Sequence, residues 1–264
     1  MRRGELADGG LDVVYQRDPL GRLRRTAGYF ITVVFGDGRS VVTAADRLRR
    51  VHDRVTRHDP ISGIRYAANE PENQLWVHMT TWHSVLYCYE RYGPGPLAPE
   101  REREYWRGCQ ISSELQGLDP AEVPGSRTEV REYFASMRPR MCVSEDAREI
   151  IDWLLKPTSS ELRLLKPVFV LLARAAAATL PPYMRDLGGF NRSRVVDGAV
   201  APMVRMASRV MTLRPLRRIG AAVSPEAYAL RVAAAFGPVP SRNTTVTIAE
   251  ARRQLANEPG DGAT

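Results

Sequence analysis

The four histidines of the chain lie within one short window, and imidazole is the side chain most often used to bind metals and to transfer protons near neutral pH. In a sequence of 264 residues, this window spans 32 and contains His52, His58, His78 and His83. Helical periodicity places His52 and His78 on the apolar stripes of two consecutive predicted helices, and His58 and His83 on more polar faces or helix ends. The window is therefore the first candidate for a metal or cofactor site.

A histidine on an apolar helix face has two interpretations, a hydrogen-bonded core residue or a metal ligand. The sequence contains neither a His-Glu-x-x-His nor a Glu-x-x-His motif, so a zincin site and a di-iron carboxylate site lack their ligands. A single axial histidine in an apolar helical pocket is instead the way in which many proteins hold a haem. The spacing of His52 and His78 leaves the core role and the ligand role open.

A second candidate group lies upstream, in the segment Arg-Leu-Arg-Arg-Thr at 22–26. Arg22 and Thr26 are four residues apart, so on a helix they share one face and flank the apolar Leu23 and Phe30. A guanidinium and a hydroxyl placed in this way can donate hydrogen bonds to a bound oxygen species or to a propionate. The alternative is a solvated basic turn in which Thr26 bonds back to its own helix, and the residues alone favour that alternative.

Helical patterns dominate the rest of the chain, and they predict one all-α domain of about nine or ten helices. The predicted helices are 18–36, 40–58, 69–91, 99–118, 126–137, 144–155, 160–180, 192–213 and 225–236. Only 244–248 alternates like a strand, and it can equally open a helix. We therefore divide the chain into a short N-terminal lead (1–17), the helical domain (18–240) and a C-terminal tail (241–264) that we expect to be partly disordered.

The composition is that of a soluble globular protein, with 44% hydrophobic and 26% charged residues. No apolar run approaches the roughly 20 residues that span a bilayer, and the longest, 168–180, is interrupted by Arg174. The first residues lack the apolar stretch of a secretory signal. The three cysteines have no Cys-x-x-Cys spacing, so we expect reduced thiols and a cytoplasmic protein.

The net charge of +8 does not by itself indicate nucleic-acid binding. Of the 38 basic residues only Lys156 and Lys166 are lysine, a bias typical of a GC-rich genome. The arginines are also spread along the chain instead of forming one basic block. A nucleic-acid partner is therefore disfavoured.

The segment 192–218 combines an apolar stripe with arginines that lie mostly off that stripe. The stripe consists of Val196, Val200, Met203, Ala207, Val210 and Leu213. The pattern predicts a core helix with a solvated basic face. The alternative is a helix that lies on an anionic membrane surface and collects an apolar substrate there.

Several motifs along the chain occur in an order that is specific in combination. They are Asp-Pro-Leu-Gly-Arg-Leu-Arg-Arg-Thr (18–26), Val-Val-Phe-Gly (33–36), Arg-Val-His-Asp-Arg-Val (50–55), Arg-Tyr-Ala-Ala-Asn-Glu-Pro (65–71), Leu-Trp-Val-His-Met-Thr (75–80) and Leu-Pro-Pro-Tyr-Met-Arg-Asp-Leu-Gly (180–188). Together they resemble the catalytic domain of the MpaB / rubber-oxygenase (latex-clearing-protein) family. The resemblance extends over roughly residues 15–215.

This resemblance implies a helical fold with a globin-like core around haem b, and oxidative cleavage of polyisoprenoid double bonds by O₂ in the best-studied members. It implies that His52 is the proximal haem ligand and that Arg22 and Thr26 form the pair on the distal side. Arg25, also counted among the cofactor-binding candidates, stands where rubber oxygenases have a lysine that can cap the iron, so that capping ligand is absent here. His78 has no role assigned by the resemblance, and it is either a supporting residue or an alternative ligand.

Family members also carry upstream helices with a His-Pro-x-x-Ala-x-Gly-like element, whereas 17 residues precede Asp18 here. In rubber oxygenases that segment supplies part of the pocket wall and an acid–base carboxylate. The leading hypothesis is a haem b-dependent oxygenase that acts on an apolar, isoprenoid-like small molecule with O₂. The alternatives are a non-catalytic helical protein that binds haem or lipid and, less favoured, a basic nucleic-acid-binding protein.

Overall fold

A computed structural model describes residues 19–58, 63–155, 166–189, 194–211, 213 and 246–257. Within these residues the chain forms ten α-helices, which confirms the predicted all-α domain. They are α1 (Pro19–Phe35), α2 (Gly38–His52), α3 (Pro71–Tyr92), α4 (Pro99–Ser113), α5 (Arg127–Met137), α6 (Glu145–Leu155), α7 (Lys166–Thr179), α8 (Pro182–Gly188), α9 (Arg194–Met211) and α10 (Ile248–Asn257). The helix predicted at 225–236 lies outside the described residues.

Helix starts follow the local sequence closely. The Ser126 hydroxyl accepts a hydrogen bond from the Glu129 amide (3.2 Å), and the Glu129 carboxylate accepts one from the Gly125 amide (2.8 Å). Asp37 caps α2 in a similar way by accepting from the Ser40 amide (2.9 Å). These side chains satisfy amide groups that have no partner inside the helix.

The predicted helix 40–58 is wrong in its last turn, because α2 ends at His52. Residues Thr56–His58 form strand β1, which pairs antiparallel with strand β2 (Arg65–Ala67). The Asn69 side chain donates a hydrogen bond to the carbonyl of Arg49 (3.0 Å), in the last turn of α2. The Arg49 carbonyl also accepts from the Asp53 amide at 2.8 Å, so Asn69 adds a second hydrogen bond at the helix end, and His58 lies on a strand instead of a helix.

The described part of the C-terminal segment, residues 246–257, includes helix α10 (Ile248–Asn257). Thr247 caps this helix and exchanges hydrogen bonds with Glu250, so 244–248 leads into a helix in its described part. Ala251 is buried, and a Cβ added to Gly38 would lie 3.0 Å from the Ala251 Cβ. Arg252 forms an ion pair with Asp46 of α2 at 2.9 Å. Close packing on α2 therefore stabilises α10.

The chain divides into two compact units. We call residues 24–83, 98–132 and 213–264 the histidine unit, because it contains all four histidines, and residues 1–23, 84–97 and 133–212 the second unit. The most buried apolar side chains of the histidine unit include Val42, Met79, Trp106 and Val130. They come from helices α2, α3, α4 and α5.

In the second unit, α7 packs against α9 through a small core that includes Ala175 and Val200. The predicted apolar stripe of α9 is divided, because Val200 is buried whereas Met203, Val210 and the following Leu213 are exposed. The core-helix expectation is therefore right for the middle of α9 and wrong for its C-terminal half. No described helix combines the length and the apolar character needed to cross a membrane.

Candidate functional site

His52 is the last residue of α2, and its ring is half-buried against the start of α3. Its Nδ1 lies 3.1 Å from Nε2 of Gln74, a residue of α3 whose side chain is buried. The other ring nitrogen, Nε2, has no hydrogen-bond partner among the described residues. One edge of the imidazole is thus held by the protein, and the other is available to a ligand.

Asn69 forms hydrogen bonds with the residues around the Nδ1 edge of His52. Its Nδ2 donates to the Arg49 carbonyl (3.0 Å) and to the Asp53 carboxylate (2.7 Å), while its Oδ1 accepts from Gln74 Nε2 (3.1 Å). These contacts tie the end of α2, the turn before α3 and the first turn of α3 together. They fix the position of the His52 ring in the chain without cofactor.

The protonation state of His52 suits metal binding. Burial lowers the pKa of His52 below its ordinary value, and this effect outweighs the Asn69 hydrogen bond and the Asp53 charge, which both raise it. The imidazole is therefore mainly neutral at pH 7. Neutral imidazole is the form that presents a lone pair to a metal.

His78 lies in a different environment, because only 1% of it is exposed. Its Nε2 donates to the carbonyl of Cys109 at 2.9 Å, and its ring meets Trp82 edge to face at 6.2 Å. Its Nδ1 is buried without a hydrogen-bond partner, as is Oε1 of Gln116, although the Gln116 side chain is close enough to raise the pKa of His78. Neither ring nitrogen is accessible, so this geometry supports a structural role for His78.

An aromatic cluster made of Phe30, Trp82, Tyr105 and Trp106 connects α1, α3 and α4. The ring centroids of Phe30 and Trp82 are 5.9 Å apart, and the hydroxyl of Tyr105 donates to the Trp82 carbonyl at 2.6 Å. Such edge-to-face contacts stabilise the packing of the helices beyond burial alone. The cluster therefore fixes α1, which carries the distal candidates, against the helix that carries Gln74.

The distal candidates lie on α1, as predicted, so Arg22 and Thr26 are one turn apart on one face. Arg25 and Thr26 are exposed, and the side chain of Arg22 lies outside the described part of the structure. No hydrogen bond joins Arg25 or Thr26 to His52 in the described part of the chain. The distal assignment stays a prediction.

The residues at His52 fit haem b, the cofactor implied by the resemblance. A single axial ligand needs one accessible neutral imidazole whose second nitrogen is held by the protein, which is the arrangement found at His52. A metal ion bound by several side chains needs a cluster of ligands. Among the described residues, no group of three or more His, Cys, Asp or Glu side chains is placed to hold one.

Comparison with known families assigns the chain to one of them. Residues 6–213 match the family described as ER-bound oxygenase mpaB/B'/Rubber oxygenase, catalytic domain. The chain belongs to this family. The match covers most of the chain and includes both the histidine window and α1, so this member of the mpaB/rubber oxygenase family carries an oxygenase catalytic domain. Neither the search of curated proteins nor that of solved structures finds a match.

The structure also identifies residues that sequence reasoning missed in this oxygenase domain. Asn69 and Gln74 hold His52, and Gln116 lies beside His78. One signal was present, because Gln74 precedes His78 by four residues and so shares its buried helix face. A glutamine on an apolar stripe needs a polar partner inside the protein, and His52 is one of its partners.

Proposed function

We propose that this chain is a haem b-dependent oxygenase that acts in the cytoplasm on an apolar, isoprenoid-like small molecule together with O₂. The family match supports the oxygenase activity and a small-molecule substrate with O₂. The observation that carries the haem assignment is the geometry of His52, a neutral, half-buried imidazole with one nitrogen held and the other unpaired in the described structure.

In this proposal His52 holds the iron from the proximal side. Haem, when bound, supplies the oxidation chemistry that no side chain can provide. By the family resemblance, Arg22 and Thr26 would donate hydrogen bonds to bound oxygen species. Arg25 stands where the family has a capping lysine, and as an arginine it would pair with a carboxylate of the cofactor and would not bind the iron.

An absorbance spectrum of the purified protein, reconstituted with one equivalent of haem, tests the proposal. A Soret band with the signature of histidine ligation is expected, followed by O₂ consumption when a short isoprenoid is added under reducing conditions. A bound haem without any isoprenoid-dependent O₂ consumption would favour the non-catalytic alternative. If no Soret band forms, the haem assignment is wrong.

We further propose a weak contact between α9 and anionic membrane surfaces, where an apolar substrate accumulates. In the C-terminal half of α9, Met203, Met206 and Val210 are exposed apolar side chains, and Arg205 and Arg209 lie beside them. Exposed apolar residues next to arginines are typical of helices that lie in a lipid interface.

A further inference from the structure

The aromatic cluster lies between the two helices that carry the cofactor candidates. Trp82 is on α3, eight residues after Gln74, so it lies about 12 Å along the helix from the residue that contacts His52. The ring of Trp82 also meets Phe30, which follows Thr26 by one turn of α1. Trp82 therefore connects the helix that contacts His52 with the helix that carries the distal candidates.

The rings continue from Trp82 into α4. The centroids of Trp82 and Tyr105 are 6.5 Å apart, and those of Tyr105 and Trp106 are 5.3 Å apart. Rings at these distances are in edge-to-face contact. Tryptophan and tyrosine are the most easily oxidised aromatic side chains, and an electron passes rapidly between rings in contact. Three oxidisable rings thus form one continuous path.

The two ends of this path differ in what can accept a proton. Nε1 of Trp106 donates to Oε1 of Glu102 at 3.3 Å, and Trp106 is only 2% exposed. No hydrogen bond from the indole N–H of Trp82 is found among the described residues. The Tyr105 hydroxyl donates to the Trp82 carbonyl, which is a much weaker base than a carboxylate. An oxidised indole is far more acidic at nitrogen than the neutral ring, so Trp106 is the indole that can lose its proton to a base.

Glu102 is held in place as an ionised acceptor. Its carboxylate accepts hydrogen bonds from Nε and Nη2 of Arg127, both at 2.9 Å. The Arg127 hydrogen bonds hold the pKa of Glu102 below its ordinary value and outweigh the effect of burial, which raises it. The Glu102 side chain is 21% exposed, so a proton taken from Trp106 is in reach of water.

We propose that Trp82, Tyr105 and Trp106 form an electron relay that carries an oxidising equivalent out of the pocket and ends in a neutral Trp106 radical. A one-electron oxidant, formed in the pocket from peroxide, takes an electron from Trp82, which regains one from Trp106 through Tyr105. The Nε1–H bond of Trp106 breaks, and an O–H bond forms on Glu102. A thiol at the surface later returns the electron and releases its own proton to water, and Glu102 gives its proton back to Trp106.

The relay rests on the proposed function for its purpose, because an oxygenase has to discharge an oxidant that forms when no substrate is bound. The path itself is a property of the chain without cofactor.

The first test uses the full chain without haem. A ruthenium polypyridyl complex, oxidised by light and persulfate, supplies the one-electron oxidant, and electron paramagnetic resonance of frozen samples with ring-deuterated tryptophan identifies the radical. We expect a neutral tryptophan radical in the unaltered protein and its loss in Trp106→Phe. Trp76→Phe is the matched control, because it removes a tryptophan of α3 outside the relay and should keep the signal.

Two further variants test the proton and the path. Glu102→Gln keeps an oxygen near the Trp106 N–H but cannot take up its proton, so the radical should remain a cation, which absorbs light at a different wavelength from the neutral radical. Tyr105→Leu removes the middle ring, so the yield of Trp106 radical should fall when the haem-loaded protein reacts with hydrogen peroxide. Circular dichroism checks that each variant keeps its helices.

Four results would overturn the proposal in variants with native helical content. They are the absence of a tryptophan radical in the unaltered chain, an unchanged signal in Trp106→Phe, a neutral radical in Glu102→Gln, and an unchanged yield in Tyr105→Leu. If the chain does not bind haem, the proposed function fails, and the photochemical experiment still decides whether the relay exists. The two failures are therefore distinguishable.

Discussion

At the residue scale, the half-buried His52 and the buried His78 have opposite consequences. His52 keeps one nitrogen available at the surface of the histidine unit, whereas His78 is enclosed between the Cys109 carbonyl, Gln116 and Trp82. Sequence periodicity placed both on apolar stripes and did not separate these roles. The separation depends on what the neighbouring helices contribute, which spacing within one helix does not contain.

The burial of His78 predicts a loss of stability in mild acid. Burial lowers the pKa of His78 in the folded protein, so the unfolded chain binds a proton that the folded chain does not bind. The free energy of unfolding is therefore highest above the ordinary histidine pKa and falls as the pH decreases below it. Titratable neighbours that face His78 are Tyr29, through Gln116, and Cys109.

Urea unfolding at pH 7.5 and at lower pH measures this effect, with His78→Gln as the comparison. The variant keeps a donor for the Cys109 carbonyl and does not titrate, so its stability should fall less between the two pH values. An equal fall in both proteins would show that His78 does not contribute to the acid sensitivity.

The distal pair gives a second prediction at this scale. Arg22→Ala and Thr26→Val should leave haem bound but weaken O₂ binding, by about tenfold to a hundredfold for the arginine, since a hydrogen bond from a charged group contributes about 1.5–3 kcal/mol. Flash photolysis of the CO complex and O₂ titration measure the change. Arg47→Ala, an exposed arginine of α2, is the control. If both distal variants bind CO and O₂ with the same kinetics as the unaltered protein, this face of α1 is a solvated turn.

At the scale of secondary-structure elements, helix caps formed by neighbouring residues were predictable. The tertiary hydrogen bond at the end of α2 was not. The Ser126 and Glu129 pair is readable from the sequence, because both partners lie within one turn. At the end of α2, the Arg49 carbonyl accepts from the local Asp53 amide and also from Asn69, which is 20 residues away in the sequence. The short strands β1 and β2 have three residues each, too few for an alternating pattern to appear.

The prediction at this scale is that the exposed C-terminal half of α9 binds anionic membrane surfaces. The protein should sediment with anionic vesicles at low salt and be released at high salt, because arginines contribute about 1 kcal/mol each near such a surface. Replacing Met203 and Met206 by serine should reduce the bound fraction several-fold. Leu172→Ser on α7, also exposed in the second unit, is the matched control. An absence of binding at low salt would contradict the proposed contact between α9 and a membrane surface.

At the scale of the whole molecule, the fold class and family were predictable, and the detail of the site was not. Helical periodicity, caps and the ordered motifs were enough for the all-α domain and the oxygenase family. The contact between His52 and Gln74 joins residues 22 apart, on two helices. Such contacts arise only when the helices pack, so the sequence named His52 as a candidate but not the residues that hold it.

The central claim is that His52 binds haem iron, and a haem titration of the His52→Ala variant tests it most directly. Unaltered protein and the His58→Ala control, which removes an exposed histidine of the same window, should each bind one equivalent of haem with a Soret band. His52→Ala should lose this binding while its helical content by circular dichroism stays largely intact. A His52→Ala variant that binds haem with an unchanged spectrum would contradict the account.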